Sequence, residues 1–219
     1  MNALYNFVSG PLVWIALALF AGGSAWRLWS LVQLSKKKDI YVHEYFSWPH
    51  ALRSILHWIV PFANESTRKN PALTVVAFVF HLFLLALPLF VIGHVAMLDK
   101  ALGLSWPTLP EGLADAMSFV VVGACVYFLA RRLTVPEVKF VTSASDFVIL
   151  ALAAAPFVTG ILAYHQIGGA QFMTILHMLS GEAMLVAIPF SRLSHMLYAP
   201  LTRAYIGSEF GAVRHARDW

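Results

Sequence analysis

Residues 171–200 read QFMTILHMLSGEAMLVAIPFSRLSHMLYAP. The stretch is apolar enough to cross a bilayer, yet it carries His177, Glu182, Arg192 and His195. Ionisable groups inside a span are costly, so they mark sites. His177 and His195 are 18 residues apart. At about 3.6 residues per turn this is about five whole turns and a rise of ~27 Å, close to the hydrocarbon thickness of a bilayer. A continuous helix from Phe172 to Ala199 then sets both imidazoles on one stripe, one near each membrane surface. Imidazole is an axial ligand of haem iron. The stretch therefore predicts half of a two-haem electron path.

Working outward, the rest of the chain has the same character. Of its 219 residues 59% are hydrophobic and 12% charged, which excludes an ordinary soluble domain and leaves no room for a separate soluble catalytic one. A single cysteine, Cys125, excludes an intrachain disulfide and a Cys-ligated cluster. The net charge of +4 follows topology and is no nucleic-acid signal. The start MNALYNFVSGPLVW lacks a basic n-region and a small-residue cleavage site, so a retained helix is expected.

The expected fold is an all-α integral membrane protein, one domain over residues 1–219, with five spans at about 4–34, 71–97, 113–130, 143–164 and 172–199. Of the 15 Lys and Arg residues only Lys100 falls on the N-terminal side. The positive-inside rule then places the N-terminus outside and the C-terminus in the cytoplasm. The cytoplasmic loop 35–70 holds a segment at about 51–60 with Leu52, Ile55, Leu56, Ile59 and Val60 at helical spacing, too short to span and expected to lie at the interface. His43, His50 and His57 recur every seven residues, but no carboxylate or cysteine completes a metal set, and a structural or partner-contact role is expected.

His81 and His94 lie in the second span, which runs antiparallel to the last. By depth, His81 pairs with His195 on the cytoplasmic side and His94 with His177 on the outer side. A lone membrane histidine is ordinarily a packing residue; four that pair by depth point to haem. Thirteen residues separate His81 from His94. That is about 3.6 turns, so an ideal helix puts them on different faces, and kinks at Pro88 and Pro189 are expected to reconcile the two spans. Gly93 lets a haem or quinone approach the backbone. Lys100, His165 and Glu182 are quinone-site candidates, because quinone chemistry moves protons. Arg192, one turn before His195, suits a haem propionate.

Helix and exit HMLSGEAMLVAIPFSRLSHMLYAPLTR resemble the last helix of the membrane cytochrome b (gamma) subunit of respiratory nitrate reductases. The shared features are His177, Pro189, Phe190, Ser191, Arg192, Leu193, His195 and Pro200, with Phe80-His81 and Gly93-His94 resembling that family's Phe-His and Gly-His pairs. The wide spacing of His81 and His94 and the long loop 35–70 depart from it. They bring the chain closer to the related membrane subunits of heterodisulfide-reductase-like transmembrane redox complexes of sulfate reducers. The resemblance implies two haem b groups and a quinone such as menaquinone as substrate. It implies a cytoplasmic iron–sulfur partner subunit, with a periplasmic cytochrome c or other redox subunit as a further partner. It also implies residence in a bacterial or archaeal cytoplasmic membrane. The chain would then be one subunit of a quinone-linked oxidoreductase, not a complete enzyme. The alternative from another class is a non-haem membrane anchor or transporter-like helical bundle.

Overall fold

The structure, a computed structural model, describes residues 2–217. Among them there is no strand. Five helices are long and apolar enough to cross a membrane. We label α1 Asn2–Lys38, α2 Trp48–Ile59, α3 Pro71–Phe90, α4 Ile92–Leu102, α5 Glu111–Thr134, α6 Ala144–Tyr164, α7 Ala170–Phe190 and α8 His195–Ile206. The spanning helices are α1, α3, α5, α6 and α7. The described residues fall into two compact units.

The first unit comprises Met1–Val13 and Val76–Met184. Its core joins Phe80 and Leu87 of α3, Phe157 of α6, and Ala114, Met117, Val121, Ala124 and Cys125 of α5. Ala114, Met117, Val121 and Ala124 recur at alternating three- and four-residue steps, and Cys125 lies four residues on from Val121, so they form one stripe. Lipid tails are as apolar as these side chains, so the gain comes from close packing, which small Ala and Cys residues permit. The start of α6 is fixed by a capping box: Ser143 and Asp146 exchange side-chain-to-backbone hydrogen bonds. Asp146 also meets the Arg132 guanidinium at 3.3 Å. A tight turn follows α6. Gln166, Gly168 and Gly169 all have positive φ there, the two glycines at 81° and 95°.

The second unit comprises Trp14–Val75 and Leu185–Trp219. Within it α2 packs on α8 and on the π-helical turn Gly207–Val213. Ala51 and Ser54 are buried in that contact. A Cβ at Gly207 would strike the Ser54 Cβ and the His50 carbonyl oxygen, and one at Gly211 would meet Arg53 and His50. Arg203 donates to the Ser54 hydroxyl at 2.7 Å and lies 4.6 Å over the Trp58 ring. The Ser208 hydroxyl accepts from the Ser47 N–H at 2.7 Å and donates to the Tyr45 carbonyl at 3.1 Å.

Two expectations are corrected. The second span is not one helix to residue 97. It ends at Phe90, and Val91 is extended (φ −71°, ψ 132°) before α4 begins. Pro88 has no N–H to give its preceding turn, and β-branched Val91 and Ile92 are weak helix formers, so the chain breaks just after the proline. The last span is not continuous to residue 199 either. It ends at Phe190, and Ser191 is extended. The Ser191 hydroxyl accepts from the Leu193 N–H at 3.2 Å, opening a short 3₁₀ turn that leads into α8. His177 and His195 thus stand on different helices, and the five-turn argument for a shared stripe fails. Beyond Leu201 the chain continues as α8 to Ile206 and then as a π-helical turn as far as Val213. The helix expected at about 51–60 runs from Trp48 to Ile59.

Candidate functional site

His94 sits on the first turn of α4 because the chain breaks at Val91. The break leaves the last carbonyls of α3 without helical partners, and each is taken up locally. Trp106 Nε1 donates to the Leu89 carbonyl at 2.7 Å, and the Leu109 N–H donates to the Phe90 carbonyl at 2.8 Å. His94 Nδ1–H donates to the Pro88 carbonyl at 3.1 Å. The helix break is therefore what orients the imidazole.

His177, on α7, is held in the same manner by α6. Its Nδ1–H donates to the Pro156 carbonyl at 2.8 Å. Gly160, one turn on, leaves the space that the ring fills; a Cβ there would stand 3.2 Å from its Cε1 and Nδ1 atoms. Thr159 and Ser180 join the same two helices through their hydroxyls at 3.0 Å.

The two rings are parallel within 3° and their centres are 5.9 Å apart. Offset-stacked rings have centres about 4.5–7 Å apart, so the spacing also suits plain ring packing. Two imidazoles sharing one metal through bonds of about 2 Å put their ring centres about 6 Å apart. A backbone carbonyl only accepts, so both Nδ1 atoms carry the proton and both Nε2 atoms carry a lone pair. Two imidazoles with free Nε2 lone pairs are a donor set that could hold a haem iron, which would supply a one-electron carrier there. No cluster of three or more His, Cys, Asp or Glu side chains suited to another metal occurs among the described residues.

His81 belongs to the first unit and His195 to the second. Both are exposed. His81 Nδ1–H donates to the Ala77 carbonyl at 2.7 Å and His195 Nδ1–H to the Arg192 carbonyl at 2.9 Å. All four histidines therefore share one tautomer. Arg192 lies in the 3₁₀ turn immediately before His195.

Glu182 is 7% exposed, and neither carboxyl oxygen has a hydrogen-bond partner among the described residues. Gly93 is exposed and nothing stands within 4 Å of where its Cβ would be. Lys100 is exposed on α4, about 9 Å along the helix from His94. His165, just past α6, is 3.1 Å from both carboxylate oxygens of Asp115. Tyr164 donates to Glu111 at 3.4 Å beside it. The acidic partner of His165 was missed in sequence, since 50 residues separate the two and no spacing rule joins them.

The heptad histidines each make a local hydrogen bond. His43 Nε2 is 3.0 Å from the Ser35 hydroxyl, His50 Nδ1 is 2.8 Å from the Ser47 hydroxyl, and His57 Nδ1 donates to the Arg53 carbonyl at 2.9 Å.

No family model matches the chain. A protein of Nitratidesulfovibrio vulgaris (strain Hildenborough) is 35% identical over 219 residues, covering 96% of this chain and 95% of that one. The chain belongs to that protein's family. A likeness that runs nearly end to end takes in α3, α4, α6 and α7, the helices that carry and orient His94 and His177.

Proposed function

We propose that the chain is a dihaem cytochrome b membrane subunit of a quinone-linked redox complex, passing electrons between a membrane quinone pool and a partner iron–sulfur subunit. The observation that carries this reading is the parallel His94–His177 pair, each imidazole held through Nδ1 by a proline carbonyl on a neighbouring turn or helix. Two haem b groups, when bound, supply one-electron carriers toward the two membrane surfaces.

The chain's own residues do the rest. His94 and His177 hold one group, and His81 and His195 are the sequence's candidates for the second. Arg192 offers a guanidinium to an inner propionate. Gly93 leaves the backbone beside His94 open to a flat ligand. Glu182, Lys100 and the His165–Asp115 pair supply groups that hold or exchange protons near the outer site. The distribution of Lys and Arg favours an outer N-terminus and a cytoplasmic C-terminus in a bacterial or archaeal cytoplasmic membrane. The iron–sulfur partner then meets the basic cytoplasmic side.

The deciding experiment is an absorption spectrum of the purified chain with a pyridine haemochrome assay. Two haem b per chain with reducible alpha bands are expected. A colourless, folded chain would sink the proposal in favour of a non-haem anchor.

A further inference from the structure

Helix α2 carries three distinct faces. At about 100° per residue, Trp48, Leu52, Leu56 and Ile59 fall within an arc of about 80°. They are 69%, 53%, 59% and 62% exposed. Ala51 and Ser54 lie on a second face, buried against Gly207, Gly211 and Arg203. Arg53 and His57 lie on a third. The apolar face is thus not the one the protein packs. The contact with α8 and the π-helical turn fixes the rotation of α2 and leaves the apolar stripe turned outward.

Three observations decide what covers that stripe. First, α2 is short of chain in which to leave the membrane. Residues 39–47 join it to α1 and residues 60–70 join it to α3, both spanning helices. An extended chain covers at most about 3.3–3.6 Å per residue, and both connections are partly coiled into the helical turns Tyr41–Glu44 and Glu65–Lys69. Second, the stripe continues past the helix in exposed Val60 and Phe62 and begins with Trp48. An indole suits the headgroup level. Third, residues 35–70 hold six cations (Lys36, Lys37, Lys38, Arg53, Arg68, Lys69) against three anions (Asp39, Glu44, Glu65). An apolar face flanked by a cationic surplus matches an anionic phospholipid surface.

We propose that α2 lies in the interface of an anionic phospholipid bilayer, with Trp48, Leu52, Leu56 and Ile59 inserted at the acyl boundary, held at that rotation by Gly207, Gly211 and Arg203. The apolar stripe is then a lipid contact and not the docking surface of a soluble redox subunit, which is left to the polar face and the C-terminal segment. This holds whether or not haem is bound.

The test uses the full chain in nanodiscs containing phosphatidylglycerol. With Cys125 replaced by Ala, a spin label is placed on a cysteine at position 52, 56 or 57, all surface or half-buried sites that the fold tolerates. Power saturation compares collisions with oxygen, which partitions into lipid, and with a soluble nickel complex. Labels at 52 and 56 are expected to favour oxygen, and the label at 57 to favour nickel. In nanodiscs of phosphatidylcholine alone, the oxygen preference at 52 is expected to weaken. Nickel-dominated relaxation at 52 and 56 would overturn the proposal by placing the stripe in water, ready for a soluble partner. Protection from both reagents would overturn it by showing protein cover. An unchanged preference without phosphatidylglycerol would remove the anionic part of it.

Discussion

The His94 and His177 rings lie parallel, 5.9 Å between centres, and each donates its Nδ1–H to a proline carbonyl. A proline lacks an N–H, which frees the carbonyl four residues before it and not its own; Pro88 and Pro156 reach the rings through their own carbonyls, Pro88 beside the break at Val91 and Pro156 inside α6. On the proposed haem ligation the two imidazoles act as one site. His94→Ala and His177→Ala are each expected to remove the same haem, halving the haem content while the remaining alpha band is unchanged. Loss of different bands in the two variants would break the pairing.

Gly160 sets the distance between α6 and the His177 ring. A methyl there would meet the imidazole at 3.2 Å, so the ring must give by a few tenths of an ångström. Gly160→Ala is expected to cost about 1 kcal/mol or less in unfolding. It should still shift the low-spin EPR signal and midpoint potential of one haem and leave the other's in place. Two unshifted signals would show that the ring is not held by this contact.

Adjacent glycines of α1 give opposite expectations. Nothing stands within 4 Å of a Cβ at Gly22, whereas one at Gly23 would lie 2.8 Å from the Pro189 and Phe190 side chains. Gly22→Ala is expected to be neutral or to stabilise by up to about 1 kcal/mol. Gly23→Ala is expected to destabilise by about 1–3 kcal/mol through overpacking. Thermal unfolding of the two variants in detergent, side by side, checks the packing of Pro189 against α1.

The spans were legible because about 20 consecutive apolar residues have few other uses. So was the His94–His177 pair, which depth alone brought together. The argument offered for the last span was nevertheless wrong in its geometry. A run of apolar residues looks continuous through Phe190, and hydropathy does not register that Ser191 can cap a new turn. In the same way Pro88 announced a kink, but not that the chain would break three residues later at Val91 and so aim His94. The π-helical turn Gly207–Val213 is not legible because its packed face is built of Gly207, Ser208 and Gly211, residues with no apolar periodicity to read. The partners of single side chains, such as Asp115 for His165, depend on tertiary approach that spacing does not encode.

Glu182 is buried with both oxygens unpartnered among the described residues. A buried carboxyl without hydrogen bonds weakens the fold unless something else requires it. Glu182→Met, close in volume and apolar, is therefore expected to raise stability by about 1–2 kcal/mol. If the acid carries protons, the same change should slow haem reduction by a quinol tenfold or more, as loss of a proton-transfer group does by about 10²–10⁴. A variant more stable and equally fast would reduce Glu182 to a packing residue.

We propose that quinone chemistry takes place beside the His94–His177 site. A quinone head needs an approach to the backbone beside a haem and a group that exchanges its protons. Gly93, next to His94, is open on the side a Cβ would occupy. His165 is held 3.1 Å from Asp115, so its ring is oriented by a carboxylate, and Lys100 lies on the helix that carries His94. The inner site offers Arg192 instead, a group that does not release protons. A quinone-site inhibitor is expected to perturb the spectrum of the His94–His177 haem and to bind more weakly in His165→Ala and Lys100→Ala. Asp115→Asn keeps the hydrogen bond but loses the charge, and should slow quinol-driven reduction less than His165→Ala does. A perturbation confined to the other haem, with all three variants behaving as wild type, would move quinone chemistry to the cytoplasmic half.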